Sequence, residues 1–157
     1  MATKKKTKVA KKATTKKTAR ISVAKTKKAS KKASTSKAAP TAKPLGPYTP
    51  VVRAGDWIIV SGQLGIADGK VVSGGVAAQT TKAIENLKGQ LASVGANLSD
   101  VSKTLCFLTD MDTFASFNTA YVAGFGNSRP ARSTIGVASL PFGGAVEIEA
   151  WAYKPLR

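Results

Sequence analysis

The sequence predicts an α+β domain with elements in the order ββαβαββ, preceded by a basic tail. Two segments repeat apolar residues every three to four positions, as amphipathic helices do, and five shorter segments are β-branched, apolar or alternating. All ten aromatic residues follow residue 43. Only the C-terminal 114 residues can therefore build a hydrophobic core.

The first half of the domain predicts a hairpin and a helix. Residues 51–53 and 57–63 are strand-like and flank Gly55, which suits a tight turn. Apolar residues then fall at helical spacing from 76 to 94, and Gly95 is placed to end the helix. We expect one amphipathic helix here.

The second half predicts three strands and another helix. Residues 101–108 are apolar and β-branched enough for a strand, and Asp112 is predicted to cap the helix that follows. Pro130 ends this stretch, and strands are predicted at 133–137 and 145–153. The apolar residues of the helix recur at intervals of three and four: Phe114, Phe117, Tyr121, Val122 and Phe125.

The last strand has an unusual outer face. Glu147, Glu149, Trp151 and Tyr153 alternate with small and aliphatic residues, so all four point to the same side. Carboxylates mixed with large aromatics favour a face that lines a pocket or is covered by another subunit. We therefore expect the domain to oligomerise.

The composition excludes several kinds of chemistry. The chain has no His and a single Cys, which rules out Ser-His-Asp and Cys-His nucleophiles, His-rich metal sites and an internal disulfide. Cys106 lies in an apolar strand and is interpreted as core packing.

No apolar run approaches the roughly 20 residues that cross a bilayer. The lysine-rich start also lacks the apolar stretch of a secretory signal, so we expect a cytoplasmic protein.

The tail carries almost all of the net charge. Residues 1–43 hold 15 Lys, Arg20 and no acid, whereas residues 44–157 hold 9 basic and 8 acidic residues. Like charges repel and apolar groups are nearly absent, so the tail is predicted to be disordered when alone. We place the start of the folded domain at residue 44.

The tail predicts contact with polyanions. A lysine-dense chain displaces counterions from DNA or RNA without reading sequence, which would associate the protein with the nucleoid. No aromatic lies among the lysines, so base stacking is not expected. Two alternatives remain open: a solubilising tail, and a nuclear targeting signal at residues 4–8.

Six short motifs occur together in the order and at about the spacing of one known family. They are Gly46-Pro47-Tyr48, Val60-Ser61-Gly62-Gln63, Phe107-Leu108-Thr109-Asp110-Met111, Phe117-Asn118-Thr119-Ala120-Tyr121, Pro130-Ala131-Arg132-Ser133 and Val146-Glu147-Ile148-Glu149-Ala150. Residues 44–154 therefore resemble the reactive intermediate deaminase family, also called the YjgF/YER057c/UK114 family. The resemblance does not include the tail.

The resemblance implies a chorismate-mutase-like fold, with two helices on one face of the sheet. It also implies a homotrimer whose sheets pack inward, with clefts at the subunit interfaces. Family members with deaminase activity hydrolyse enamines and imines such as 2-aminoacrylate, released by pyridoxal-phosphate enzymes, to 2-keto acids and ammonia. They use neither metal nor cofactor, so the implied partner is a small imino acid.

The resemblance also implies roles for individual residues. The substrate-carboxylate Arg falls on Arg132 and the water-positioning Glu falls on Glu147. Many close members have Cys where this chain has Thr134. A contact between the substrate and the backbone at this position would survive that change of side chain. Supporting positions of the cleft fall on Tyr48, Ser61 and Asn118.

Three functions remain in competition. The first is the imine and enamine deaminase. The second is a non-catalytic protein that binds a small carboxylate or associates with nucleic acid. The third is a ribonuclease, a role proposed for some family members. Retention of both Arg132 and Glu147 favours the enzyme, because a cleft without catalysis has no physical need for that pair.

Overall fold

The computed structural model describes residues 46–156, and the predicted basic tail and its boundary at residue 44 lie outside them. The elements are β1 (Val51–Ala54), β2 (Trp57–Leu64), β3 (Ile66–Ala67), β4 (Lys70–Val71), α1 (Gly75–Ser93), β5 (Val101–Leu108), α2 (Phe114–Phe125), β6 (Ala131–Gly136) and β7 (Val146–Tyr153). The predicted ββαβαββ order is confirmed, with the short β3–β4 hairpin added. Within the described range, no helix is both long and apolar enough to span a membrane.

Five strands form one mixed sheet in the order β1-β2-β7-β5-β6. Strand β6 runs parallel to β5, and the other neighbours are antiparallel. Both helices pack on the same face, where α1 contacts α2, β2 and β7. Fully buried side chains fill the space between the layers, among them Ile58, Ile84, Leu87, Leu91, Cys106, Phe117 and Ile148. This is the expected α+β architecture.

Glycine ends two elements as the sequence predicts. Gly55 begins the two-residue turn between β1 and β2 with φ 62°. At the end of α1, Gly95 has φ 75° and donates to Ala92 O, while Ala96 donates to Leu91 O. These paired bonds satisfy carbonyls that the helix end would otherwise leave without donors.

Two predicted details are wrong. The cap before α2 is Asp110 and not Asp112, because the Asp110 side chain accepts the Asp112 N–H at 2.9 Å and starts a 3-10 turn that leads into the helix. Strand β6 begins at Ala131, two residues earlier than predicted. Parallel pairing of Ala131 with Lys103 extends the strand beyond the β-branched residues that suggested it.

The β3–β4 hairpin was missed although its turn carries a known signal. Asp68 and Gly69 form the two-residue turn, with φ values of 51° and 76°. An Asp-Gly pair between short apolar segments is typical of such a turn. The strands have only two residues each, too short for an alternating pattern to reveal them.

The sheet face away from the helices is largely apolar and exposed. Trp57, Ile59, Ile135 and Tyr153 are between 41% and 46% exposed there. The predicted alternation of β7 is confirmed, since Val146, Ile148, Ala150 and Ala152 are buried under the helices. That a second copy covers the open face stays a prediction.

Candidate active site

Glu147 lies on the open face of the sheet and borders a small cavity. Strand β7 places it between Leu64 of β2 and Phe107 of β5. The cavity has a volume of about 310 Å³ and is lined by Tyr48, Ser61, Gly62, Leu64, Pro141, Phe142 and Glu147. Three residues with roles implied by the family resemblance, Tyr48, Ser61 and Glu147, therefore border the same cavity.

A β-bulge in β2 shapes this cavity. Val60 pairs with Ala150 and Gln63 pairs with Ile148, so two residues of β2 stand opposite the single residue Glu149. The extra residue makes the strand bend, as bulges beside active sites do. The two bulged residues are Ser61 and Gly62, both of which line the cavity.

Gly62 provides the space that the Glu147 carboxyl occupies. A Cβ atom added to Gly62 would lie 1.6 Å from Glu147 Oε1 and 2.5 Å from its Cδ. These distances are far below a van der Waals contact, so any side chain at this position would displace the carboxyl. Glycine is therefore needed here for close approach.

Ser61 fixes the segment that carries Tyr48. Its Oγ donates to Pro50 O at 3.1 Å, and its backbone N–H donates to the same oxygen at 3.0 Å. The hydroxyl proton is thereby used, and Ser61 Oγ can only accept a hydrogen bond from a ligand. Tyr48 itself is 46% exposed at the cavity.

The surroundings of Glu147 favour its protonated form. Burial raises the pKa of Glu147, and the neighbouring Glu149 raises that pKa further. Burial also raises the pKa of Glu149. A carboxyl group with a raised pKa is a better proton donor near neutrality and still accepts a proton when ionised.

Arg132 lies in a second group of residues, built by β6 and α2. Its Nη2 donates to Asn118 Oδ1 at 2.9 Å, and its guanidinium carbon lies 4.6 Å from the centre of the Tyr121 ring. A 2.7 Å hydrogen bond between the Tyr121 hydroxyl and Thr104 Oγ1 holds that ring in place. The stacked ring and the amide fix the plane of the guanidinium, which suits two-pronged binding of a carboxylate.

Thr134 lies two residues beyond Arg132 and so faces the same side of β6. Its Oγ1 is buried and has no hydrogen-bond partner among residues 46–156. A buried hydroxyl without a partner is costly, which makes this position a candidate ligand contact.

Within one chain, Arg132 and Glu147 lie on opposite faces of the sheet. Arg132 pairs with Thr104 of β5, whereas Glu147 pairs with Phe107 of the same strand. Positions three residues apart on a strand point to opposite sides. Thr104 is fully buried beneath the helices, so Arg132 is on the helix side and Glu147 on the open side. One chain alone does not bring the two groups together.

Sequence reasoning missed several residues of the two groups. Leu64, Pro141 and Phe142 line the cavity, and Tyr121 supports Arg132. The Pro-Phe-Gly sequence at 141–143 was a turn signal that could have been used. In the sequence, Leu64 and Tyr121 are indistinguishable from other residues of the core, and only the folded structure shows that they belong to these two groups.

Cys106 is a core residue, as predicted. It is fully buried, and burial raises its pKa to about 11. The thiol therefore remains protonated and unreactive at neutral pH. Across residues 46–156, no three His, Cys, Asp or Glu side chains come together in an arrangement that could hold a metal ion.

Comparison with known proteins identifies the family. The family model described as Endoribonuclease L-PSP matches residues 36–154. The chain belongs to this family. A RutC family protein of Pyrococcus horikoshii is 41% identical over 114 residues, which cover 71% of this chain and 90% of the relative. The resemblance to the reactive intermediate deaminases is thereby confirmed.

Two further relatives of this family member are informative. The 2-iminobutanoate/2-iminopropanoate deaminase of Mus musculus is 41% identical over 112 residues, covering 70% of this chain and 83% of the mouse protein. The crystal structure of RidA from the Antarctic bacterium Psychrobacter sp. PAMC 21119 superposes with a TM-score of 0.67. It is 38% identical and covers 70% of this chain and 90% of that one.

Proposed function

We propose that this protein is a deaminase of reactive 2-imino acids, which hydrolyses them to 2-keto acids and ammonia. The observation that carries the proposal is the Glu147 carboxyl, which has a raised pKa and borders a cavity small enough for a metabolite. Similarity to the mouse 2-iminobutanoate/2-iminopropanoate deaminase supports this choice of substrate.

Arg132 binds the substrate carboxylate in this proposal. The hydrogen bond to Asn118 uses one of the five N–H donors of the guanidinium. A carboxylate placed against other N–H groups can form two parallel charge-assisted bonds, which fix its orientation as well as its position. Thr134 lies on the same side of β6, and its backbone is the proposed contact to the substrate.

Glu147 performs the proton transfers. With an enamine such as 2-aminoacrylate, the protonated carboxyl donates to the terminal carbon and gives the iminium ion. The resulting carboxylate then accepts a proton from water, whose oxygen bonds to the iminium carbon. Return of this proton to nitrogen allows the C–N bond to break. Ammonia leaves as the hydroxyl proton passes to the Glu147 carboxylate and the carbonyl forms, which restores the protonated carboxyl. Imine hydrolysis proceeds in water unaided, so positioning and proton transfer are sufficient catalysis.

The cleft is proposed to form between two copies of the chain. Arg132 and Glu147 lie on opposite faces of one sheet, and the open face of that sheet exposes large apolar residues. A second copy that covers this face removes the apolar surface from water and can carry its own Arg132 toward the cavity of the first. A homotrimer arranged head to tail would contain three such clefts.

Mixed oligomers test both the activity and the shared cleft. Arg132→Ala and Glu147→Gln proteins are each purified, then unfolded and refolded together in equal amounts. If a cleft takes Arg132 from one copy and Glu147 from the next, about one quarter of all clefts in randomly assembled trimers contain both residues. Activity near a quarter of the wild-type value supports the proposal. Absence of activity in the mixture, while refolded wild type is active, contradicts the shared cleft.

A second proposed activity concerns the tail, which we infer binds nucleic acid or another polyanion without reading sequence. Its support is the charge of residues 1–43, with 15 Lys, Arg20 and no acid. Such binding would hold the enzyme at the nucleoid within the cytoplasm. A ribonuclease activity is not favoured, because RNA cleavage without His would need a second acid or base near the phosphate, and Glu147 is the only carboxylate among the residues that line the cavity.

A further inference from the structure

Phe142 borders the Glu147 cavity in a backbone conformation that aromatic residues rarely adopt. Its φ and ψ are 59° and 15°. It is the third residue of a turn closed by the Gly143 N–H, which donates to Leu140 O at 3.3 Å. Glycine or asparagine is normally found where the third residue of a turn has a positive φ. The other residue besides glycine with positive φ among residues 46–156 is Asp68, a type that tolerates it.

Packing within one chain does not explain this choice of residue. Phe142 is 59% exposed and does not belong to the buried core. In the single chain, a glycine would relieve the backbone strain and remove an apolar ring from water, so the stability of the single chain favours replacement. Strain that persists at a ligand cavity is best explained by what the side chain does there.

The ring adds to an apolar wall of the cavity. Leu64, Pro141 and Phe142 line it together with the Glu147 carboxyl. In small-molecule sites, a few polar groups orient the ligand while apolar side chains select its remaining part. The volume of about 310 Å³ corresponds to roughly ten water molecules. The smallest 2-imino acid with a methyl side chain, 2-iminopropanoate, has six non-hydrogen atoms, which leaves space for a longer side chain.

We propose that Phe142 determines substrate specificity, selecting 2-imino acids with apolar side chains of three to five carbons, such as the imine derived from leucine. This inference rests on the proposed deaminase function. The ring contacts the substrate side chain, while the reaction remains addition of water to the imine carbon and release of ammonia. A substrate with an acidic side chain is disfavoured, because its charge would meet an apolar wall beside Glu147.

The experiment compares substrates across matched variants. Imines are generated in the assay from alanine, leucine and aspartate by amino acid oxidases with oxygen, and catalase removes the peroxide. Imine loss is measured for wild type, Phe142→Asn, Phe142→Gly and Phe142→Leu. Asparagine and glycine fit the turn without strain, so both variants are expected to fold and to have a raised Tm. Val122→Asn, which changes an exposed residue of α2 that does not line the cavity, is the control.

Wild type is expected to prefer the leucine imine to the alanine imine by about tenfold or more in kcat/KM. Phe142→Asn and Phe142→Gly should lose most of this preference, because kcat/KM falls much further on the leucine imine than on the alanine imine, and Phe142→Leu should retain it. The Val122→Asn control should keep both values. An unchanged preference in the asparagine and glycine variants, or an equal loss on both substrates, overturns the role of Phe142. Wild type that hydrolyses none of the imines overturns the deaminase function itself, and the specificity proposal with it.

Discussion

Replacement of Gly62 by alanine is expected to remove activity while leaving the fold intact. The new Cβ would lie 1.6 Å from Glu147 Oε1, whereas non-bonded atoms need about 3.5 Å, so the carboxyl must move by about 2 Å. A misplacement of about 1 Å can lower a rate about 100-fold. We therefore expect kcat to fall by about 100-fold or more.

The same substitution should cost little stability. The atom that must move is the end of a flexible side chain, which can turn toward the solvent. We expect the free energy of unfolding to stay within about 1 kcal/mol of wild type. Gly89→Ala is the matched control, because a Cβ there meets nothing within 4 Å. It lies inside α1 and should stabilise the protein by about 1 kcal/mol without changing kcat.

Kinetics with an imine substrate, circular dichroism and a pH profile together decide this prediction. The displaced carboxyl is better hydrated, so its pKa should fall toward the ordinary value. The acid limb of the residual activity should then move to lower pH, a change that general loosening of the fold would not produce. Full activity in a folded Gly62→Ala protein would refute the assignment of Glu147 as the group that transfers protons.

Three other predictions follow from the geometry of the site, and a fourth follows from the charge of the tail. Arg132→Ala should abolish imine hydrolysis while the oligomer persists in sedimentation, and Arg132→Lys should recover little because a point charge cannot form the two-pronged contact. Glu147→Gln should lower kcat by a factor of about 10² to 10⁴ with less effect on KM. If Glu149→Gln loses this activity and Glu147→Gln does not, Glu149 and not Glu147 is the acid that transfers protons. Glu149→Gln removes a charge that raises the pKa of Glu147. Hydrolysis of an imine substrate needs the ionised carboxyl, so the acid limb of its pH–rate profile should shift to lower pH. An acid limb that does not move would contradict this coupling. Deletion of residues 1–43 should leave deamination intact and abolish DNA and RNA binding. For the full chain, the logarithm of the binding constant should fall with the logarithm of salt concentration at a slope near −0.9 per phosphate neutralised on duplex DNA. Binding that survives truncation would exclude the tail as its source.

Much of the fold follows from local pattern. Apolar residues at helical spacing up to residue 94 predict α1, because this spacing places them on one buried face of a helix. The glycine at 95 predicts its end, because the residue after a helix often needs a positive φ. Alternation along β7 similarly separates the buried side from the side that carries Glu147. The identity of the family was also available, since six short motifs at their proper spacing are a specific signal.

Long-range pairing decided the remainder. Parallel pairing with β5 extended β6 back to Ala131, against the local preference that placed its start at residue 133. Asp110 acts as the cap because its side chain accepts a hydrogen bond from the Asp112 N–H. Positions 110 and 112 both hold Asp, so residue type could not distinguish the two candidate caps.

The sequence by itself limited the available chemistry, because a chain without His must rely on carboxylates, Tyr, Lys and Arg, and the family resemblance implied roles for Arg132 and Glu147. Only the tertiary structure decided where they lie. Register against β5 separates their partners by three residues and so places them on opposite faces, and the bulge in β2 brings the backbone of Gly62 beneath the Glu147 carboxyl. Both outcomes depend on how strands from distant parts of the chain align, which no local pattern encodes.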